Sequence, residues 1–113
     1  MARKNVLTTS PPYPVEQTLK RLGADLRTAR LRRNLTLEEV AGKIGTGRRA
    51  VIEAEKGKPS TSAAVYAALL WAYDLLDQMT RVADPALDEV GLSRSLTRER
   101  ARATEREELD SDF

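Results

Sequence analysis

The chain lacks cysteine and histidine, and it has few aromatic residues. Without cysteine there are no disulfides and no thiolate metal sites, and without histidine there is no imidazole base, catalytic triad or histidine-ligated metal. One tryptophan, one phenylalanine and three tyrosines are too few for an aromatic core, so we expect an aliphatic one. No apolar run approaches the roughly 20 residues that span a bilayer, and no signal-peptide core is visible. These absences predict a helical, cytoplasmic protein that is not an enzyme and holds no metal or cofactor.

Charge is distributed unevenly along the 113 residues. The formal net charge is only +2, yet residues 1–34 hold eight Lys or Arg and two Asp or Glu, a balance of +6. Residues 35–60 have a balance of +1, and residues 61–113, with six basic and eleven acidic residues, have −5. A basic segment attracts polyanions. The front of the chain is therefore predicted to meet a polyanion, and the back a different kind of partner.

Apolar residues recur at helical spacing through residues 14–84, and the chain length leaves room for one small domain there. Thr36 followed by Glu39 is a capping-box pattern, and Gly45 suits a tight turn. Asp74 is expected to cap the last helix. We predict five helices, at about residues 14–33, 37–44 and 47–56, then from a cap at 60–62 to 72, and from 75 to 82.

Both ends of the chain differ from this domain. Residues 1–13 include a Ser-Pro-Pro stretch and are predicted as a flexible arm, either a plain disordered leader or, through Arg3 and Lys4, a nucleic-acid contact. Residues 85–113 are predicted as a C-terminal extension for dimer or partner contacts, partly disordered. Within it, residues 96–109 have helix-forming composition but no continuous apolar face, which predicts a marginal or partner-dependent helix.

One stretch of the chain resembles a known DNA-binding domain. Residues 22–58 read LGADLRTARLRRNLTLEEVAGKIGTGRRAVIEAEKGK, and they resemble the lambda-repressor-like domain of the Xre family. The matching features are an arginine-rich first helix, Ala41 at the tight helix contact, Ile44-Gly45 at the turn, an aliphatic residue at 51, and Glu55-x-Gly57. The resemblance implies an all-α, five-helix lambda-repressor-like helix-turn-helix domain with a flexible N-terminal arm and a charged C-terminal tail. It also implies that the third predicted helix enters the major groove of double-stranded DNA.

The resemblance assigns roles to individual residues. Those expected to contact bases are Gly47, Arg48, Arg49, Ile52 and Glu53. Those expected to contact phosphates are Arg27, Arg33, Thr36, Lys43, Lys56 and Lys58. Arg30 and Glu55 are expected to form a structural ion pair. Two alternatives stay open: one of Arg48 and Arg49 binds only phosphate, and Glu53 is a solvated or intramolecularly paired carboxylate.

The second half of the chain carries a less specific resemblance. Residues 68–93 read ALLWAYDLLDQMTRVADPALDEVGLS, and with the charged tail they resemble HipB-like antitoxins encoded beside HipA-type toxin kinases, most closely over residues 83–91. This implies a homodimer that binds a palindromic operator in its own promoter, represses its operon, and binds and neutralises the kinase. Trp71 and Leu76 are expected in the core. The residues expected at dimer or partner contacts are Tyr73, Met79, Val90, Leu92, Leu109 and Phe113.

Other functions fit parts of the same pattern. A stand-alone Xre-type regulator would bind DNA without a toxin, and the gene neighbourhood distinguishes the two. A protein-interaction module that has lost DNA binding is suggested by Glu38, Glu39 and Glu53 near the DNA-facing surface. An enzyme is the least supported class, since the sequence has no paired-carboxylate or phosphate-loop arrangement.

Overall fold

The computed structural model describes residues 5–111, where it contains α-helices, one short 3-10 turn and no strand. This confirms the predicted all-α class. The chain divides into two compact units, one up to Met79 and the other from Thr80 onward. No helix in the described range is long and apolar enough to cross a membrane. The helices are α1 (Val6–Thr9), α2 (Tyr13–Arg32), α3 (Leu37–Ile44), α4 (Arg48–Glu55), α5 (Ala63–Ala72), α6 (Leu76–Met79) and α7 (Glu89–Ser111), with the 3-10 turn at Pro85–Leu87.

The first unit encloses one small core between α2, α3, α4 and α5. The α3 and α4 helices pack on each other and on α5, and α2 packs on α4. Apolar residues on each helix recur at three- and four-residue spacing, so each helix turns one stripe inward. The buried side chains are Leu26 and Ala29 from α2, Val40 and Ala41 from α3, Val51 and Ala54 from α4, and Tyr66, Leu69, Leu70 and Tyr73 from α5 and its C-cap.

Two tyrosines belong to this core, which corrects the expectation of a purely aliphatic one. Tyr66 is 6% exposed, and Tyr73, at 1%, is the largest fully buried side chain. Together with Leu69 and Leu70 they occupy positions i, i+3, i+4 and i+7, which form one face of a helix. The prediction was wrong because it counted aromatic residues over the whole chain and not on the face that packs. The same burial corrects the assignment of Tyr73 to a dimer or partner surface.

A pair of glycines brings α2 against the end of α4. Gly57 follows α4 with φ of 68°, and a Cβ at this position would overlap the backbone of Leu19 in α2. A Cβ on Gly23, also in α2, would lie 2.6 Å from the carbonyl oxygen of Ala54. Only residues without a side chain allow this approach, and Gly57 also needs the left-handed conformation. The two helices therefore meet at backbone distance.

The last helix of the domain is shorter than predicted. α6 covers only Leu76–Met79, and Asp74 adopts φ of 61° and not the extended conformation of an N-cap residue. Trp71 and Leu76 are 54% and 37% exposed, so the expectation that they lie in the core was wrong. The reason is the direction of α5, whose buried face includes Tyr73 and turns Trp71 toward solvent.

The segment before α2 contains one helical turn. The side chain of Asn5 accepts a hydrogen bond from the backbone N–H of Leu7 at 3.0 Å and so caps α1. The predicted arm is therefore helical over Val6–Thr9, and its last residue already begins α2. Arg3 and Lys4, the basic residues proposed for that arm, lie outside the described residues.

The second unit consists of a capped turn followed by a long helix. The side chain of Asp84 accepts from the N–H of Ala86 at 2.9 Å, and that of Asp88 accepts from the N–H of Gly91 at 3.0 Å. α7 then continues as one helix over Glu89–Ser111, where the sequence predicts only a marginal one. Its side chains are exposed as far as Asp110, except at the half-buried Gly91. The helix-forming composition extends the helix although it buries no apolar face of its own.

We expect Tyr73→Phe to raise the free energy of unfolding by about 1 kcal/mol at neutral pH, measured by urea denaturation. The hydroxyl of Tyr73 is buried without a hydrogen-bond partner among the described residues, and removing such a group relieves its desolvation cost. Burial, with a smaller contribution from nearby Glu55, raises the pKa of Tyr73 from 10.0 to about 12.

The same variant makes a pH prediction. Between pH 10 and pH 12 the unfolded tyrosine has lost its proton and the folded one has kept it, so the folded state binds more protons and stability falls as pH rises. The wild-type chain is expected to lose about 1–2 kcal/mol relative to Tyr73→Phe across this window. Parallel stability curves for the two proteins above pH 10 would contradict the assignment.

Candidate nucleic-acid interface

α3, a three-residue turn and α4 form a helix-turn-helix. Thr36 and Glu39 form the predicted capping box at the start of α3, since each side chain accepts a hydrogen bond from the other residue's N–H at 3.1 Å. Gly45 ends α3 with φ of 80°, and its N–H donates to the carbonyl of Ala41 at 3.0 Å. Gly47 is the N-cap of α4 and makes no side-chain cap. The turn thus needs one left-handed residue, and glycine supplies it.

The outer face of α4 carries the side chains expected to meet bases. Arg48 and Arg49 are exposed in the first turn, and Ile52 and Glu53 follow one turn later and are half-buried. These four positions share one side of the helix, while Val51 on the opposite side is fully buried. The structure therefore brings the predicted base-contacting residues onto one face of one helix, with its backbone held by the core.

Both arginines of this face rest against carboxylates. Nε of Arg48 lies 3.3 Å from Oε1 of Glu38 in α3, and Nε of Arg49 lies 3.3 Å from Oε1 of Glu53. Nζ of Lys58 lies 3.8 Å from the same Glu53 oxygen. Glu53 therefore has the intramolecular pairing that the sequence left open, and its contact with a base stays a prediction. These pairs are solvent-exposed, so each contributes little and separates readily when a stronger anion arrives.

A buried ion pair fixes the inner face of α4. Nε and Nη2 of Arg30 in α2 donate to the two carboxylate oxygens of Glu55 at 2.7 and 3.0 Å, and Nη1 donates to the carbonyl of Leu35 at 3.0 Å. The two side chains are only 9% and 7% exposed. The hydrogen bond that Arg30 donates to Glu55 raises the pKa of Arg30 above its ordinary value. The pair expected from the sequence is present, and it connects α4 to α2 and to the loop before α3.

Two of the residues expected to contact phosphates have another role. The guanidinium of Arg33 donates to the carbonyls of Ala29 and Tyr73, at 2.9 and 2.7 Å, and lies over the Tyr73 ring. Nζ of Lys43 donates to the carbonyl of Ala72 at 3.4 Å and lies over the Trp71 ring. Carbonyls at a helix C-terminus lack partners within the helix and attract cations. Both side chains therefore stabilise the end of α5, and their contact with phosphate stays a prediction.

The other predicted phosphate residues stay at the rim of the helix-turn-helix. Thr36 begins α3, Arg27 is exposed on α2, and Lys56 and Lys58 are exposed in the loop after α4. The hydroxyl of Tyr66 donates to the carbonyl of Lys58 at 3.3 Å and so anchors this loop to the core. Sequence reasoning missed this anchor, because nothing in the local pattern marks a tyrosine eight residues away as the partner.

The residues predicted for dimer or partner contacts are divided between the two units. Met79 is half-buried against the core of the first unit. Val90, Leu92 and Leu109 are 63%, 55% and 60% exposed on α7 in the second unit. Phe113 lies outside the described residues.

Comparison with known proteins agrees with this geometry. A family model described as a helix-turn-helix domain matches residues 21–83, which is more than half of the chain. The chain therefore belongs to the helix-turn-helix family. Searches of the curated proteins and of the solved structures find no match.

Glu55→Ala is expected to lower the free energy of unfolding by about 3 kcal/mol, because it leaves the buried guanidinium of Arg30 without its counter-ion. Replacing both partners, as Arg30→Met with Glu55→Leu, is expected to recover most of that loss, since neither buried charge remains. Urea denaturation of the three proteins measures the difference. Glu16→Ala serves as control, because it breaks an exposed pair with Lys20 and leaves stability nearly unchanged. A single variant as stable as wild type would contradict the role of the pair.

Proposed function

We propose that this protein is a sequence-specific, double-stranded DNA-binding transcriptional repressor that acts as a homodimer. Membership of the helix-turn-helix family supports the DNA-binding regulator class. The observation that carries the finer proposal is the outer face of α4, where Arg48 and Arg49 project from the first turn of a helix whose other side is held by the core. A helix of this width fits the major groove, and its N-terminal residues reach the base edges first.

Guanine is the base that this face is suited to read. An arginine forms two parallel hydrogen bonds with O6 and N7 of guanine, and each such contact provides roughly 1–3 kcal/mol of discrimination against another base. Ile52, one turn later, suits contact with a thymine methyl group. Glu53 pairs with Arg49 and Lys58 in the free protein and releases them when DNA binds.

Phosphate contacts are proposed for a smaller set than the sequence predicts. Arg27, Thr36, Lys56 and Lys58 surround the helix-turn-helix at its exposed rim. Such contacts release counterions, so they give affinity that depends on salt and little sequence preference.

The alternative of a protein-interaction module is less well supported, because its acidic residues are occupied. Glu38 pairs with Arg48, Glu39 closes the capping box, and Glu53 pairs with Arg49 and Lys58. In the free protein, cations therefore offset the charges of Glu38 and Glu53, and the carboxylate of Glu39 serves as a helix cap.

The DNA-binding proposal predicts that substitutions of base-contacting and of phosphate-contacting residues have different effects on DNA affinity. Arg48→Ala with Arg49→Ala is expected to lower affinity for the selected operator about 100-fold, with a much smaller effect on unrelated DNA. Lys56→Ala with Lys58→Ala, which removes the same charge, is expected to weaken both DNAs alike and to reduce the slope of log affinity against log salt by about one for each lysine on a phosphate. Fluorescence anisotropy at several salt concentrations, with an operator selected from random duplexes, measures both.

Equal losses on operator and unrelated DNA for the arginine variant would show that these arginines bind only phosphate. Unchanged operator affinity would place the base contacts elsewhere.

A second role, as the antitoxin of a HipA-type kinase, is proposed from the resemblance of residues 83–91 and from the surface around them. Val82, Leu87, Val90 and Leu92 are 72%, 70%, 63% and 55% exposed within one short stretch of the second unit. Exposed apolar side chains at this density are typical of a surface that a protein partner covers. In this role the repressor dimer autoregulates its operon and holds the kinase inactive.

The antitoxin role predicts a co-purifying kinase. Affinity purification of the full chain from its native host is expected to retain a HipA-type kinase encoded in the same operon. Leu87→Asp with Val90→Asp is expected to release the kinase while operator binding is unchanged, because both residues lie outside the helix-turn-helix. Absence of any such kinase from both the operon and the purified material would favour a stand-alone regulator.

A further inference from the structure

The α7 helix has a charge pattern that is complementary to its own reverse. Residues 94–102 hold four arginines and one glutamate, whereas residues 105–110 hold four acidic residues and one arginine. Arginines 94, 98, 102 and 106 follow one another at four-residue spacing, where like charges repel along a helix. The acidic end also lies at the helix C-terminus, where the macrodipole disfavours it. An antiparallel neighbour with the same sequence would place the basic stretch of one copy beside the acidic stretch of the other.

We propose that two copies of this chain pair through α7 in antiparallel orientation, centred on Ala103. We call the contact face the α7 seam, and it consists of Leu96, Glu99, Ala103, Arg106 and Asp110. Their spacings of three, four, three and four place them on one side of the helix over about 21 Å. All five side chains are exposed, with Leu96 at 44%. This inference rests on the proposed function, in which the repressor acts as a dimer, and it names the surface through which the two copies pair.

The register follows from the two-fold axis. When Ala103 faces Ala103 of the second copy, Glu99 faces Arg106 of the second copy along one edge of the seam. On the other edge, Arg100 faces Glu107 in the same way. Symmetry doubles both contacts, so four interchain ion pairs flank a small central residue that lets the helices approach. A parallel pair would instead put each of these charges beside its own copy, which is unfavourable.

Charge reversal tests the seam directly. Glu99→Arg alone and Arg106→Glu alone each place like charges across the interface, and each is expected to raise the dimer dissociation constant about tenfold or more. The double variant restores opposite charges and is expected to dimerise as the wild type does. A mixture of the two single variants is expected to form a mixed dimer, since each chain then supplies what the other lacks. Sedimentation velocity on full-length chains at low salt measures all four cases.

Arg94→Glu is the matched control, because it makes the same change on the opposite side of α7 from the seam, and it is expected to leave the dissociation constant unchanged. Far-ultraviolet circular dichroism checks that each variant keeps its helix content. A wild-type chain that stays monomeric, single reversals that dimerise normally, or a double variant that fails to recover would each overturn the proposal.

Binding to DNA that carries one half-site separates this inference from the proposed function. If the chain binds the half-site but its dimer ignores charges at 99 and 106, the seam is wrong and the DNA-binding proposal stands. If charge reversal splits the dimer but the chain binds no DNA at physiological salt, the seam stands and the repressor proposal is wrong.

Discussion

The buried ion pair between Arg30 and Glu55 fixes the orientation of α4 in the domain. It joins α2 to the inner face of α4, and a third hydrogen bond from the same guanidinium reaches the carbonyl of Leu35 before α3. Both charged groups are largely removed from water. Replacing one of them therefore leaves the other as an unpaired charge in the core, which is destabilising. Gly23 and Gly57 bring the end of α4 against α2 at backbone distance. With its inner face held in this way, α4 turns its opposite face outward as a fixed surface.

Basic residues that are alike in the sequence have different contacts in the folded chain. Arg48 and Arg49 pair at the surface with Glu38 and the half-buried Glu53, and such surface pairs contribute little to stability. Arg33 and Lys43 instead donate hydrogen bonds to the last carbonyls of α5 and its C-cap. Their charged groups also lie over the aromatic rings of Tyr73 and Trp71, respectively. The basic front half of the chain thus contains one group of cations open to a polyanion and another that stabilises the domain.

The acidic back half gains a similar distinction. Asp84 and Asp88 cap the turn and the helix that follow them, so part of the negative charge has a local structural use. Most of the remaining charged residues lie along α7, where a basic stretch is followed by an acidic one, the pattern on which the proposed antiparallel pairing rests. The stretch of exposed apolar residues from Val82 to Leu92 precedes that region, so the proposed partner surface and the proposed α7 seam are separate along the chain.

Four features could be predicted from the amino-acid sequence alone: the all-α class, the capping box of Thr36 and Glu39, the glycine turn between α3 and α4, and the Arg30–Glu55 pair. These features depend on local spacing or on a resemblance carried by short motifs, so they are readable along the chain. Other features became visible only in the folded chain. Tyr66 and Tyr73 lie in the core and Trp71 does not, and Arg33 and Lys43 donate hydrogen bonds to carbonyls at the end of α5. Each of these depends on which face of a helix meets a segment tens of residues away, and a one-dimensional pattern holds no such information.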